Sequence, residues 1–101
     1  RFWAINYNWP GDAKRIKPGP DPVSLMFGEG TTHQNSDVIE RLIEMELNDG
    51  KIQFSGREPI QIELAEKASR NWEGIVRLDD RGFLIATDKY PEMILGFIPF
   101  K

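Results

Sequence analysis

Apolar positions along this chain follow two rhythms, separated by stretches rich in proline, glycine and small polar residues. Phe2 to Tyr7 (FWAINY) is dense in aromatic and β-branched types, which predicts a first strand. Residues 8–22 (NWPGDAKRIKPGPDP) hold four prolines and two glycines. Proline withdraws N–H groups that a sheet ladder needs, so this stretch reads as a long surface loop. Val23 to Phe27 is a short apolar run, read as a second strand, and Gly28-Glu29-Gly30 with the polar ramp Thr31 to Asp37 follows it. Val38, Ile39, Leu42, Ile43, Met45 and Leu47 then form a broad apolar stripe, with Glu40, Arg41, Glu44 and Glu46 largely opposite. That pattern predicts an amphipathic helix over 37–48. Asp37 and Glu40 have capping-box spacing at its start, and Gly50 suits a left-handed stop at its end.

Lys51 to Phe54 (KIQF) predicts a short strand. Ile60, Ile62 and Leu64 alternate as in a strand over 60–64, and the helix formers of 64–71 predict a short turn of helix beyond it. Trp72 to Leu78 and Phe83 to Thr87, joined by Asp79-Asp80-Arg81-Gly82, predict a hairpin, and Met93 to Phe100 (MILGFIPF) a closing strand with Pro99 near its end. The expected order is β-β-α-β-β-β-β-β. The fold class is therefore read as α+β, with an antiparallel or mixed sheet of about five to seven strands packed against one main helix, 37–48.

Composition bounds this picture. A chain of 101 residues with 40% hydrophobic and 29% charged positions is expected to be a single compact domain, 1–101, with a core of its own. It opens on Arg1 rather than Met, so excision from a longer chain is also considered. With no cysteine, disulfides, thiolate metal sites and cysteine nucleophiles are excluded, and a cytoplasmic setting is the mild favourite. No apolar run is long enough to span a bilayer as a helix, so no membrane partner is expected. The net charge of −3 disfavours nucleic acid as a partner. Charge is uneven along the chain: residues 35–66 carry eight acids against three bases. On the predicted helix this makes an acidic surface of Glu40, Glu44 and Glu46, suited to a basic protein partner.

Candidate chemistry is sparse. His33 is the one histidine. Ser24, Ser36, Ser55 and Ser69 lack a nucleophile-elbow context, and no second histidine completes a zinc site, so neither metal nor cofactor is expected. Gly28, Gly30, Thr31 and Thr32 ahead of a helix would allow a phosphate to approach, but neither full phosphate-loop pattern is present and Glu29 opposes an anion. A nuclease-like reading places His33 as general acid or base with Glu29 or Asp37, and Arg15 or Lys17 on the phosphate. Lys14, Arg15 and Lys17 beside Trp9 give the proline-rich loop a basic-aromatic contact surface. The aromatic clusters Phe2, Trp3, Tyr7, Trp9 and Tyr90, Phe97, Phe100 read as core. The run GIVRLDDRGFLIATD (74–88) resembles the hairpin-bearing segment of some flavin-dependent reductases, but the dinucleotide fingerprint of those enzymes is missing, and only a hairpin is taken from it.

The function expected from these residues is that of a non-enzymatic protein–protein interaction module, of inhibitor, immunity or accessory type, monomeric or homodimeric. It would use the acidic helix surface, the loop over 9–22, or both. The alternative is a small ligand-binding or nuclease-like domain centred on Gly28 to Asp37.

Overall fold

A computed structural model of the chain describes residues 1–7, 20–36, 39–63, 72–88 and 92–100. The elements are β1 (Phe2–Tyr7), α1 (Pro22–Phe27), α2 (Thr31–Ser36), β2 (Glu40–Asn48), β3 (Lys51–Phe54), β4 (Ile60–Gln61), β5 (Trp72–Leu78), β6 (Gly82–Thr87) and β7 (Leu95–Pro99). The fold is mostly β, with two short helices and two antiparallel sheets. The chain divides into two compact units, Arg1–Ser69 and Arg70–Lys101.

In the first unit β2 is the central strand. It pairs antiparallel with β1 along the whole of β1, from Phe2 opposite Met45 to Tyr7 opposite Glu40. Its other edge is shared by β3, which meets 45–48, and β4, which meets 41–42. The expected α+β fold with one main helix over 37–48 is thereby corrected: residues 40–48 are a strand, and residues 37 and 38 lie outside the described residues. The reason is legible in Ile43-Glu44-Met45-Glu46-Leu47, which alternates strictly and so offers a strand period as well as a helical one. The turn decides between them. Asp49 and Gly50 both have positive φ, 50° and 76°, between the paired residues Asn48 and Lys51. A two-residue Asp-Gly turn with both φ positive matches the right-handed twist of a hairpin, and it takes the place of the expected helix cap.

The strand expected at Val23–Phe27 is also corrected, to α1. Asp21 caps it by accepting from the Ser24 backbone N–H, and Pro22 occupies the first turn, where its fixed φ suits a helix and its missing N–H costs nothing. The polar ramp is helix α2. The strand expected over 60–64 is shorter, Ile60–Gln61, and the helical turn expected over 64–71 lies outside the described residues. β1, β3, the β5–β6 hairpin and β7 fall where the sequence pattern puts them, although in two sheets rather than one.

In the second unit β6 lies between β5 and β7. The register stacks Ile75, Ile85 and Gly96 in one row and Val76, Leu84 and Phe97 in the next, so the two rows point to opposite faces. Phe83 and Ile85 are buried, and Phe100 stacks on Phe83 with ring centroids 5.6 Å apart. Gly82, at φ 154°, lies under the Phe97 ring and against the Ile98 carbonyl, and a Cβ there would collide with both.

These features predict different costs for two alanine substitutions at positive-φ glycines. Gly50→Ala, in open space, should lower stability by about 1 kcal/mol, the conformational term alone. Gly82→Ala should cost at least about 2 kcal/mol more, because backbone must move. Urea unfolding of both variants checks the ordering, and equal costs would contradict the described packing around Gly82.

Candidate functional site

Charged side chains on β2 reach both faces of the first sheet. On one face Arg41 is 4% exposed and has oxygen acceptors around its guanidinium. Its Nε donates to Asn6 Oδ1 at 2.7 Å, Nη1 to Ser24 Oγ at 3.0 Å, and Nη2 to Asp21 Oδ1 at 2.8 Å. Asn6 is the β1 residue directly opposite Arg41, while Asp21 and Ser24 belong to the start of α1. The Ser24 hydroxyl in turn donates to Asp21 Oδ2 at 2.6 Å. Burial pushes the Asp21 carboxyl up, but the Arg41 hydrogen bond, those from the Ser24 side chain and backbone, and the Arg41 charge outweigh it. The carboxyl falls from 3.8 to about 2. Chemically this is a closed clamp. Its donors and acceptors satisfy one another, so its consequence is to fasten α1 to the sheet.

The acids expected on an exposed helix surface lie along one face of β2 instead. Glu40 and Glu44 are buried and Glu46 is half-buried. Glu44, opposite Trp3, accepts from Arg57 Nη1 at 3.3 Å and has Arg1 Nη1 at 3.9 Å. The Arg57 guanidinium lies 5.2 Å from the centre of the Trp3 ring. Glu46 accepts from Gln53 Nε2 at 2.9 Å and has Arg1 Nε at 3.7 Å. The acidic helix surface is thus replaced by acids on a strand face, of which Glu44 and Glu46 meet the first unit's own cations and the Gln53 amide.

Around the glycine loop the structure brings His33 and Glu29 together, with His33 Nε2 3.7 Å from Glu29 Oε1. Thr31 Oγ1 donates to Glu63 Oε1 at 3.0 Å, and Thr32 is buried. Gly28 closes α1, its N–H donating to the Ser24 carbonyl. Gly30 faces the Gln61 side chain so closely that a Cβ there would stand 2.5 Å from Gln61 Oε1. The space in which a phosphate would approach Gly30 is therefore occupied by Gln61. Asp37, Trp9, Lys14, Arg15 and Lys17 lie outside the described residues. Among the described residues no cluster of three or more histidine and carboxylate side chains could hold a metal ion, and no helix is long and apolar enough to cross a membrane.

The surface that sequence reasoning missed is the outer face of the β5–β6–β7 sheet. Val76, Leu84 and Phe97 form a row across all three strands, flanked by the row Gly74, Ala86 and Leu95 and by the row Leu78, Gly82 and Pro99. Val76 is 58% exposed, Phe97 53% and Leu95 71%. The signal was the unbroken apolar run Phe83-Leu84-Ile85-Ala86, which makes both faces of a central strand apolar. In the first unit the cross-strand pair Leu47 and Ile52 is also exposed, beside the row Phe2, Met45 and Phe54, and Leu25 and Met26 of α1 are exposed as well.

The clamp predicts an acid dependence. Because the folded Asp21 carboxyl is depressed, its contribution is complete above the unfolded value near 3.8 and is lost as pH falls toward 2, roughly 1–2 kcal/mol after solvent screening. Asp21→Asn should lose about that much at pH 7 and change less than the wild type between pH 4 and pH 2, read by urea unfolding at each pH. Arg41→Ala, which takes the charged donor from Asp21 and the Nε donor from Asn6 Oδ1 while Asp21 keeps its bonds from Ser24, should cost about 3 kcal/mol.

Compared with known proteins, the chain matches no family model, no curated protein and no solved structure.

Proposed function

We propose that this chain is a non-enzymatic protein–protein interaction module whose contact surface is the outer face of the β5–β6–β7 sheet. The observation that carries the reading is the contiguous apolar row Val76, Leu84 and Phe97 with Leu95 beside it, at the exposures given above. Contiguous apolar surface left in water by a folded domain is characteristic of a binding surface.

Charge around this face is mixed in sign. Among the described residues Glu73, Asp79, Asp80, Asp88 and Glu92 are exposed acids at the strand ends and Arg77 and Arg81 exposed bases, and the sequence over 70–101 carries five of each sign. Arg77 is engaged within the unit, donating from Nε to the Asp79 carbonyl at 3.0 Å with its guanidinium 4.9 Å from the centre of the Phe100 ring. A protein with an apolar patch inside a rim of mixed charge complements such a surface. Support also comes from the first unit, where Gln61 lies against Gly30 and cations answer Glu44 and Glu46, so that neither feature offers an open ligand site. The cysteine-free composition suits a reducing compartment, and we place the module in the cytoplasm on that basis.

The test begins with affinity capture from an extract of the source cell, followed by identification and purification of the retained protein. Calorimetric titration of the purified pair should show a negative heat-capacity change, the mark of apolar burial. Val76→Lys should weaken binding by at least about tenfold, a loss of about 1.4 kcal/mol, while His33→Ala leaves it unchanged. A partner bound equally well by wild type and Val76→Lys would rule this face out.

A further inference from the structure

We propose that β7 is a pairing edge, and that its occupant is β7 of a second copy of this chain, related by a two-fold axis through Phe97. The pairing groups are backbone groups of the strand edge; the Leu95 and Phe97 side chains also belong to the face described above, and Val76 on β5 lies away from the pairing edge and separates the two readings.

The hydrogen-bond phase of β7 comes first. The Thr87 N–H donates to the Ile94 carbonyl at 3.0 Å and the Phe100 N–H to the Arg81 carbonyl at 2.9 Å. Between these two pairs the register sets Ile85 opposite Gly96 and Phe83 opposite Ile98. Backbone groups along an antiparallel strand alternate in direction, so those of Gly96 and Ile98 turn toward β6. The N–H and C=O of Leu95 and of Phe97, with the C=O of Pro99, turn away from it. Among the described residues no strand lies on that side, because β7 ends the sheet order.

The two edges of this sheet differ in their protection. β5 has a register shift between Trp72 and Gly74 and carries Glu73 and Arg77. Bulges and charges of this kind are how exposed edges avoid recruiting another strand. From Met93 to Phe100 no residue is charged, and Pro99 alone interrupts the donors.

A second copy of β7 fits this edge. With Phe97 on the axis, the two Phe97 residues exchange both backbone hydrogen bonds. Each Leu95 N–H then donates to the Pro99 carbonyl opposite. The bond that Pro99 cannot donate is missing only at the Leu95 carbonyl, at the open start of the strand, where solvent can supply a donor. Phe97 meets Phe97, Leu95 meets Pro99, and no like charges face each other across the pair, an arrangement favourable to cross-strand contact. The product joins two three-stranded sheets into one continuous sheet and places the two outer faces side by side, with isologous symmetry.

The available area sets the strength. Leu95 and Met93 are each 71% exposed and Phe97 53%. At about 150–200 Å² for a large side chain, these residues offer roughly 300–400 Å² per copy, or at most roughly 800 Å² across the pair. A permanent dimer needs well over about 1,200 Å². The association is therefore reversible, with a dissociation constant in the range of about 10 µM to 1 mM.

Sedimentation equilibrium of the purified chain from about 5 µM to about 1 mM spans this range. The expected result is a monomer–dimer equilibrium that Leu95→Pro weakens at least about fivefold. The substitution removes the outward N–H at the first strand position, where proline is tolerated. Val76→Lys should dimerise as the wild type does while losing the face-bound partner, so the two readings fail separately. Amide exchange of the wild type gives a readout that does not depend on any variant folding. The Leu95 and Phe97 amides should exchange more slowly as concentration rises, and the Gly96 amide should not change. A chain that is monomeric at the highest concentration, a dimer untouched by Leu95→Pro, or Leu95 and Phe97 exchange independent of concentration would overturn the proposal.

Discussion

Arg41 places a permanent positive charge where only 4% of the residue is exposed, and much of the first unit is arranged to answer it. A buried guanidinium is tolerated only with hydrogen-bonded partners of matching geometry, because its desolvation penalty is several kcal/mol. Asn6 supplies one acceptor from the adjacent strand, and that contact requires the register that sets Asn6 opposite Arg41. Asp21 and Ser24 supply the others, and the same carboxylate caps the helix that Pro22 begins. One charge thereby ties together the pairing of β1 with β2, the start of α1 and the docking of α1 on the sheet. On the opposite face of β2, Glu44 makes the converse demand, which Arg57 over Trp3 meets. Arg41, Glu44 and Glu46 thereby serve the packing of the unit.

The second unit distributes its residues differently. Its central strand is apolar on both faces, and Phe83 and Ile85 are buried while the row through Leu84 leads outward to exposed Val76 and Phe97. A three-stranded antiparallel sheet needs only one apolar face to fold onto a core. The other face, with Val76, Leu95 and Phe97 exposed, is the one on which the proposed contact rests.

Much of the fold was legible in the residues. β1, β3, the β5–β6 hairpin and β7 are short runs of β-branched and aromatic residues bounded by strong turn signals, and no helical period competes with them. Residues 40–48 were not legible from periodicity, since Leu42, Ile43, Met45 and Leu47 satisfy a helical stripe and, in part, an alternating strand. Asp49-Gly50 carried the missing information. Read as a helix stop it extends the helix, but as a two-residue hairpin turn it makes 40–48 and 51–54 partner strands. Val23 to Phe27 failed for want of length, because five apolar residues fit either element. The preceding Asp21-Pro22, a cap followed by a proline at the first helical position, was the stronger sign. The candidate site was less legible still. Assigning Glu40, Glu44 and Glu46 to a helix placed them in solvent by default, and Arg41 was assigned with them, whereas burial of paired charges depends on long-range partners such as Asn6 and Arg57. The outer sheet face could be seen only once Val76, Leu84 and Phe97 were aligned by register.

Whether this face meets water in the free chain is read by solvent paramagnetic relaxation of methyl resonances in the purified protein. A soluble gadolinium chelate should strongly broaden the methyls of Val76, which lies away from the β7 edge, and spare those of Ile85, which is 2% exposed on the opposite face of the same sheet. Val76 methyls as well protected as those of Ile85 would show that the face is already covered and is not a contact surface.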